Sequence, residues 1–326
     1  MEKLFVENSR KMVVVLVNYN NNTDTVDCVK SIAKSEGIKL PFIIVVDNNS
    51  KLKTIEEDLN FYPNLKVIYN NENIGFGRAN NIGINWANNN LEYKYILLLN
   101  NDTVIEPITI STLTQQFKIS EEIGITTCKT NFYDLKYVVW YGGGQINSYR
   151  GWPKIYDYGK LASNEGANQS RYVDFVSGCV MMFSKKSISQ LIGFDDVFFM
   201  YCEDLELSLR ARKLGIKIYY TSETTIYHKV QGSLKNQKQE TSGLTYKNPN
   251  LPFLWFHMKL NQWIVFHKHL GKLKFLIFNL LYWSEFTLKL LFYLLRGRYD
   301  LIKPSLNIIN SIITRKYESN DGKFND

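Results

Sequence analysis

The chain has 326 residues, 45% of them hydrophobic, enough for one large α/β domain or two small ones and too apolar for a disordered protein. Its four cysteines, Cys28, Cys128, Cys179 and Cys202, fit no zinc spacing and no small disulfide framework, so they read as reduced core thiols. The formal net charge is +8, and the excess is local: ten Lys/Arg against two acids lie between Leu251 and Lys316.

The opening MEKLFVENSRKM carries no apolar stretch of signal-peptide length, which makes a reducing cytoplasmic location the expectation. Residues 12–18 (MVVVLVN) and 42–47 (FIIVVD) are short, β-branched, continuously apolar runs, the pattern of strands buried on both faces. Between them, 23–36 is expected to be a helix opened by Thr23 or Asp24. A third strand is expected at 65–69, a helix at 77–89 and a fourth strand at 95–99 (YILLL). This alternation predicts βαβ units in a mostly parallel sheet with right-handed crossovers. Beyond residue 106 the pattern loosens. A helix is expected near 108–118 and a strand near 123–128. The Gly-, Tyr-, Asn- and Ser-rich stretch 141–171 reads as loops and short strands over one edge of the site. Regular structure returns at 173–183, followed by a helix at 203–214 that ends at Gly215 and a strand at 216–220.

Residues 251–326 differ from the rest. Leu273–Leu295 is dense in Leu, Phe, Ile, Tyr and Trp, but Lys274, Glu285 and Lys289 interrupt it. A membrane span needs about 20 predominantly apolar residues with few charges. One or two amphipathic helices lying on an anionic membrane surface are therefore expected, with a helical cap packed on the domain and a true span as the other readings. Aromatic residues interleaved with basic ones fit such a surface better than nucleic acid, which is not expected as a partner. The same apolar surface is compatible with a homodimer.

In open parallel sheets, ligands bind beyond the carboxyl ends of the strands. Three ends here carry acids and amides: Asn18-Tyr19-Asn20, Asp47-Asn48-Asn49-Ser50 and Asn100-Asn101-Asp102. Each alone is an ordinary Asn/Asp turn; three on one rim suggest a site. Asn73-Ile-Gly-Phe-Gly-Arg78-Ala-Asn80-Asn81 has glycines for close backbone approach and an arginine able to pair with phosphate. It is not a dinucleotide fingerprint, because Asn80 stands where G-x-G-x-x-G needs its third glycine. Glu203-Asp204 opens a helix, where carboxylates are favoured by the dipole even without a chemical role.

The ordered runs VVVLVNYN, VVDNNS, NENIGFGRANNIGI, LLLNNDT, VSGCVMMF, IGFDDVFFMYCEDLELSLRARKLG and IYH resemble glycosyltransferase family 2, and among its members the rhamnosyltransferase-like enzymes of bacterial surface-polysaccharide synthesis. The likeness covers residues 12–232. It implies an α/β GT-A fold over 1–250, with a donor-binding half to about residue 106, an acceptor and catalytic half from 107, and a C-terminal helical, basic-aromatic extension at 251–326. It implies inverting sugar transfer from a UDP- or dTDP-linked donor, with dTDP-rhamnose the leading candidate, to a glycan or lipid-linked glycan at the inner face of the membrane.

The resemblance also assigns roles. Asp47 matches the strand-end acid that contacts base or ribose, with Asn20 lining the same pocket. Asn73, Gly75, Arg78, Asn80 and Asn101 fall in the donor site. Asn100-Asn101-Asp102 occupies the place of the D-x-D metal motif with Asn for the first acid, leaving Asp102 as its one charged ligand for Mg²⁺ or Mn²⁺. His228 matches a histidine that completes the metal shell. Asp204 matches the general base, with Glu203 orienting it or the acceptor. Trp152, Tyr156 and Gly178 are placed on the acceptor side.

Two other classes are weighed against this reading. A sugar nucleotidyltransferase would carry a glycine-rich basic loop after the first strand, where NYNNNT stands. A non-catalytic sugar- or nucleotide-binding module is disfavoured by the intact Asp47, Asp102, Asp204 and His228.

Overall fold

A computed structural model describes residues 12–147, 149, 151–230 and 244–318. The first eleven residues, on which the leader-peptide expectation rests, lie outside that description, as do the last two residues of the family-like span.

The four apolar runs of the first half form strands at the expected places: β1 (Met12–Asn18), β2 (Phe42–Asp47), β3 (Leu65–Tyr69) and β4 (Tyr95–Leu99). They lie parallel in the order β3-β2-β1-β4. Both sheet faces are covered. Val14, Leu16, Ile43 and Val45 point into one core, while Val13, Val15, Ile44 and Val46 point into the other. That double burial is why these runs show no polar alternation. Helices α1 (Asn22–Ile32), α2 (Ile55–Asp58) and α3 (Phe76–Asn90) supply the crossovers. Helix α1 stops four residues short of the expected 36, because a turn at 33–36 leads into left-handed Gly37. Gly83 of α3 lets that helix sit against Val15, whose methyl would lie 2.5 Å from an added Cβ.

A second half extends the sheet past β4. It contains β5 (Thr103–Ile105), α4 (Thr109–Gln116), β6 (Ile123–Phe132), β7 (Val139–Tyr141), β8 (Gly144–Asn147), β9 (Trp152–Ile155), β10 (Arg171–Val173), β11 (Val180–Ser184), α5 (Lys185–Leu191), α6 (Glu203–Lys213) and β12 (Lys217–His228). The main order is β10-β12-β6-β11-β4-β1-β2-β3, with β11 and β10 antiparallel to their neighbours. Between β10, which ends at Val173, and β11, which begins at Val180, a loop holds Gly178. Two expectations are corrected here. Strand β6 runs four residues past 128. Strand β12 runs eight past 220, bulging near Thr221–Thr225, so that His228 lies on the strand and not after it.

Three C-terminal helices follow: α7 (Leu251–His269), α8 (Lys272–Leu294) and α9 (Ile302–Thr314). Helix α7 is a core helix. It shares one hydrophobic cluster with Phe198, Cys202, Leu205 and Leu209 around the start of α6. Helix α8 presents Phe278, Tyr282 and Phe286 to α7 at four-residue spacing, with Phe278 stacked on Phe266 and Phe286 against Trp255. Its other side is exposed, including Leu273 (73%), Leu280 (64%) and Leu288 (68%). Among the described residues, α8 is the one helix long and apolar enough to cross a membrane. Lys259 of α7 is fully buried and pairs with Glu285 of α8 at 3.0 Å, which pins the two helices in register. All four cysteines are buried and free.

Candidate active site

Parallel pairing sets Asn18 and Asp47 side by side at the carboxyl ends of β1 and β2. Asp47 is fully buried. Its carboxylate accepts from Asn18 Nδ2 (2.8 Å), Ser50 N (2.9 Å) and Lys53 Nζ (2.9 Å). Burial alone would raise its pKa, but the Ser50, Lys53 and Asn18 hydrogen bonds outweigh it and hold the acid below its ordinary value. Asp47 is thus a fixed anion at the base of the cleft. Asn20, left-handed at φ 53°, closes the same corner by donating its N–H to Ser50 and accepting from Lys51 N.

The segment 73–80 is braced rather than loose. Buried Asn48 donates to Asn73 Oδ1 at 2.6 Å and accepts from Asn70 and from Ile74 N. Gly75 sits at φ 86°, ψ 172°, and Phe76 N donates to Phe199 O at 3.0 Å. A Cβ on Gly75 would lie 2.0 Å from that carbonyl oxygen, so the glycine is needed for contact with the 198–202 loop. Arg78 donates to Asp196 O at 2.6 Å, and Asn80 is buried, donating to Phe76 O. In this state Arg78 is engaged with protein.

The third strand end carries the acid–imidazole pair. Strand β5 pairs antiparallel with the end of β12, setting Thr103 opposite His228. Asp102 Oδ1 lies 3.1 Å from His228 Nε2, and both side chains are buried. Trp140 packs edge-on against the imidazole at 4.5 Å. The Nδ1 atom of His228 is buried with no hydrogen-bond partner. Lys229 fixes the corner, donating its N–H to Asp102 O and its ammonium to Asp24 and Asp27 of α1. Asn101 is tied back to Thr25 at 2.8 Å. No cluster of three or more His, Cys, Asp or Glu side chains exists among the described residues. Asp102 Oδ1 and His228 Nε2 face each other, and this oxygen–nitrogen pair could serve as a two-ligand platform for a divalent cation.

Glu203 and Asp204 open α6. They follow Tyr201 (φ 71°) and Cys202 (φ 67°), two consecutive residues in the left-handed region without being glycine. Asp204 Oδ2 accepts from Gly178 N at 3.1 Å and Oδ1 from Leu205 N at 2.8 Å. Burial raises the Asp204 pKa above the ordinary carboxylate range, and those backbone donors only partly offset it. Glu203 is raised too, first by burial and then by the neighbouring Asp204 charge, and its Oε2 is buried without a partner. Glu206 behaves otherwise: burial is outweighed by His269 and Arg210, which hold it low as a structural ion pair. Gly178 and Cys179 connect the two acidic corners. Gly178 N donates to Asp204, while Cys179 O accepts from Asn100 N, two residues before Asp102.

A model of the family described as Glycosyltransferase like family 2 matches residues 10–245. The chain belongs to this family. It is 27% identical over 193 residues to rhamnosyltransferase WbbL of Escherichia coli K12, covering 55% of this chain and 69% of that protein. It is 30% identical over 83 residues to the N-acetylglucosaminyl-diphospho-decaprenol L-rhamnosyltransferase of Mycobacterium tuberculosis, a quarter (25%) of each chain. Similar solved structures include GalNAc-T7 with UDP, GalNAc and Mn²⁺ (TM-score 0.53, 17% identity, 68% of this chain and 44% of that one). Another is the mannosyltransferase PcManGT of Pyrobaculum calidifontis with GDP-Man and Mn²⁺ (TM-score 0.53, 12% identity, 93% and 75%). These likenesses establish the GT-A fold of this family 2 chain.

Within the GT-A frame, Asn20 and Asp47 meet at one corner, Asp102 and His228 at another, and Gly178 and Asp204 at a third. Asn73, Gly75 and Asn80 shape the wall between the first and third. Gly178, placed on the acceptor side by resemblance, is a hydrogen-bond donor to Asp204. Trp152 and Tyr156 are tied to other neighbours. Trp152 leans on the C-terminal helices near Lys259, while Tyr156 has the Arg171 guanidinium over its ring and lines a groove of about 340 Å³ together with Tyr172 and Arg212. Sequence reasoning missed the braces: Lys53 on Asp47, Trp140 and Lys229 around the acid–imidazole pair, and Asn261 behind α6. None of these left a trace in the sequence: Asn261 stands beside a second amide, Gln262, in a helix that also carries His257 and Lys259.

Proposed function

We propose that the chain transfers a sugar with inversion from a UDP- or dTDP-linked donor, dTDP-rhamnose foremost, to a lipid-linked glycan. The observation that carries this reading is the shared 178–179 segment, which hydrogen-bonds to Asp204 on one side and to the Asp102 loop on the other. Base and leaving-group site are thereby held in one rigid frame. The likeness to two rhamnosyltransferases supports the choice of donor.

Asp47, held ionised, accepts hydrogen bonds from the nucleoside. Asp102 and His228 would hold Mg²⁺ or Mn²⁺, which when bound neutralises charge on the departing nucleoside diphosphate. Asp204 takes the proton of an acceptor hydroxyl as its oxygen bonds to the anomeric carbon. The bond from that carbon to the diphosphate oxygen breaks on the opposite face. Burial raises the proton affinity of Asp204, which improves it as a base, and the Gly178 N–H holds the carboxylate in place. The exposed apolar side of α8, which begins with exposed Lys272 and Lys274, would rest on the anionic inner face of the membrane and bring a lipid-linked acceptor within reach.

A thermal-shift screen of UDP- and dTDP-sugars with and without Mn²⁺ identifies the donor. Asp204→Asn is expected to keep the donor-induced shift while losing about 10²-fold or more in transfer. Full transfer activity in Asp204→Asn would overturn the base assignment.

A further inference from the structure

We propose that Asn261 of α7 is a positioning residue for the candidate base: its side-chain amide holds the left-handed 200–202 turn from which Asp204 is presented. The inference rests on the reading of Asp204 as base. Asn261 Nδ2 donates to Met200 O and to Tyr201 O, both at 2.9 Å, so one buried amide satisfies two consecutive carbonyls. Those carbonyls precede Tyr201 and Cys202, which occupy backbone conformations that residues with a Cβ rarely adopt. Such a turn persists only when its surroundings over-determine it.

Two independent elements do so here. From the donor side, Phe76 N donates to Phe199 O, and Gly75 permits the approach. From the C-terminal side, Asn261 grips the next two carbonyls. Glu203 and Asp204 follow at once, and Asp204 must meet Gly178 N at 3.1 Å. The packing below is apolar: Phe198, Cys202 and Leu205 share a cluster with Trp255, Leu260 and Ile264. Apolar contact holds α7 against α6 but selects no backbone dihedral, whereas a two-pronged amide does. Helix α7 lies beyond residue 245, where the family match ends, so the C-terminal region completes the catalytic edge and is more than an appendage to it.

The test is hydrogen exchange and kinetics on the full chain carrying Asn261→Leu, which keeps the volume and removes the amide. Asn261→Ala guards against an overpacked Leu. Asn279→Ala removes another buried-bundle hydrogen bond, to Trp263 at 2.9 Å, and serves as the control. Exchange over residues 198–206 is expected to accelerate at least about tenfold in the Asn261 variants and not in the control, since local opening follows lost constraint. Turnover of dTDP-rhamnose with Mn²⁺ is expected to lose about tenfold or more in kcat with donor KM nearly unchanged, because small misplacement of a catalytic group costs rate and not donor binding. Unchanged exchange over 198–206, or equal acceleration in Asn279→Ala, overturns the clamp. Accelerated exchange together with a fully active Asp204→Asn leaves the clamp standing and overturns the base reading alone.

Discussion

Replacing Gly75 by alanine probes the join between the 73–80 segment and the 198–202 turn that precedes Asp204. The residue sits at φ 86°, ψ 172°, a region essentially restricted to glycine, and forcing a Cβ residue there costs about 1–3 kcal/mol. The new Cβ would also stand 2.0 Å from Phe199 O, 2.7 Å from its carbonyl carbon and 2.9 Å from its Cα. All three are backbone atoms, so no side chain can rotate away, and overpacking of this kind adds about 1–3 kcal/mol. The sum, about 2–6 kcal/mol, is a large part of the 5–15 kcal/mol by which domains are ordinarily stable. Gly159→Ala supplies the reference: φ is 77°, but nothing lies within 4 Å, so it bears conformational cost without collision. Urea titrations followed by tryptophan fluorescence should show Gly75→Ala destabilised well beyond Gly159→Ala. Turnover should fall too, since a displaced Phe199 moves the turn that carries Asp204. Equal unfolding free energies for the two variants would refute the collision argument.

Glu203 yields a pH signature. Burial and the Asp204 charge raise its pKa, so the folded state holds the proton more tightly than the unfolded chain. Ionisation therefore costs stability as pH rises from the ordinary glutamate value of about 4.3 through the raised one. Glu203→Gln should gain stability over wild type progressively across that window, and a urea-midpoint difference that does not grow with pH would contradict it. On the proposed reading of Asp102 as the one charged ligand of its motif, Mn²⁺ alone should shift the wild-type melting temperature little, and nucleotide with Mn²⁺ much more. Asp102→Asn should abolish the metal-dependent part, and a strong response to free Mn²⁺ would count against the two-ligand platform. Reversing exposed Lys272, Lys274 and Lys303 to glutamate should weaken sedimentation with anionic vesicles, at about 1 kcal/mol for each lysine near the surface. Unchanged binding would sink the membrane reading.

The first half of the fold was legible because its signals are local. Strands β1, β2 and β4 are apolar on both faces, and each ends in a polar cluster just where the chain leaves the sheet. The second half was less so. Long β6 and β12 are rich in Thr and Tyr, which satisfy buried hydroxyls by tertiary hydrogen bonds such as Thr127 Oγ1 to Val180 O and Tyr220 OH to Ala167 O. They carry no apolar run to mark their length. The C-terminal region left its three readings open for a related reason. Helices α7 and α8 are both predominantly apolar with scattered charges, so composition could not tell the helix buried in the protein from the one half exposed.

Sequence by itself determined which residue types stand at the strand ends, and so brought Asp47 and Asp102 forward, while the family resemblance singled out Asp204 at the start of a helix. Only the tertiary structure decided how they are held. His228 reaches Asp102 because β12 extends eight residues beyond its apolar start and pairs antiparallel with β5, more than a hundred residues away in the chain. Asp204 is aimed by a left-handed turn whose constraints come from α3 on one side and α7 on the other. Neither constraint is local, and a hydrogen bond between residues far apart in the chain leaves no periodicity in the sequence to read.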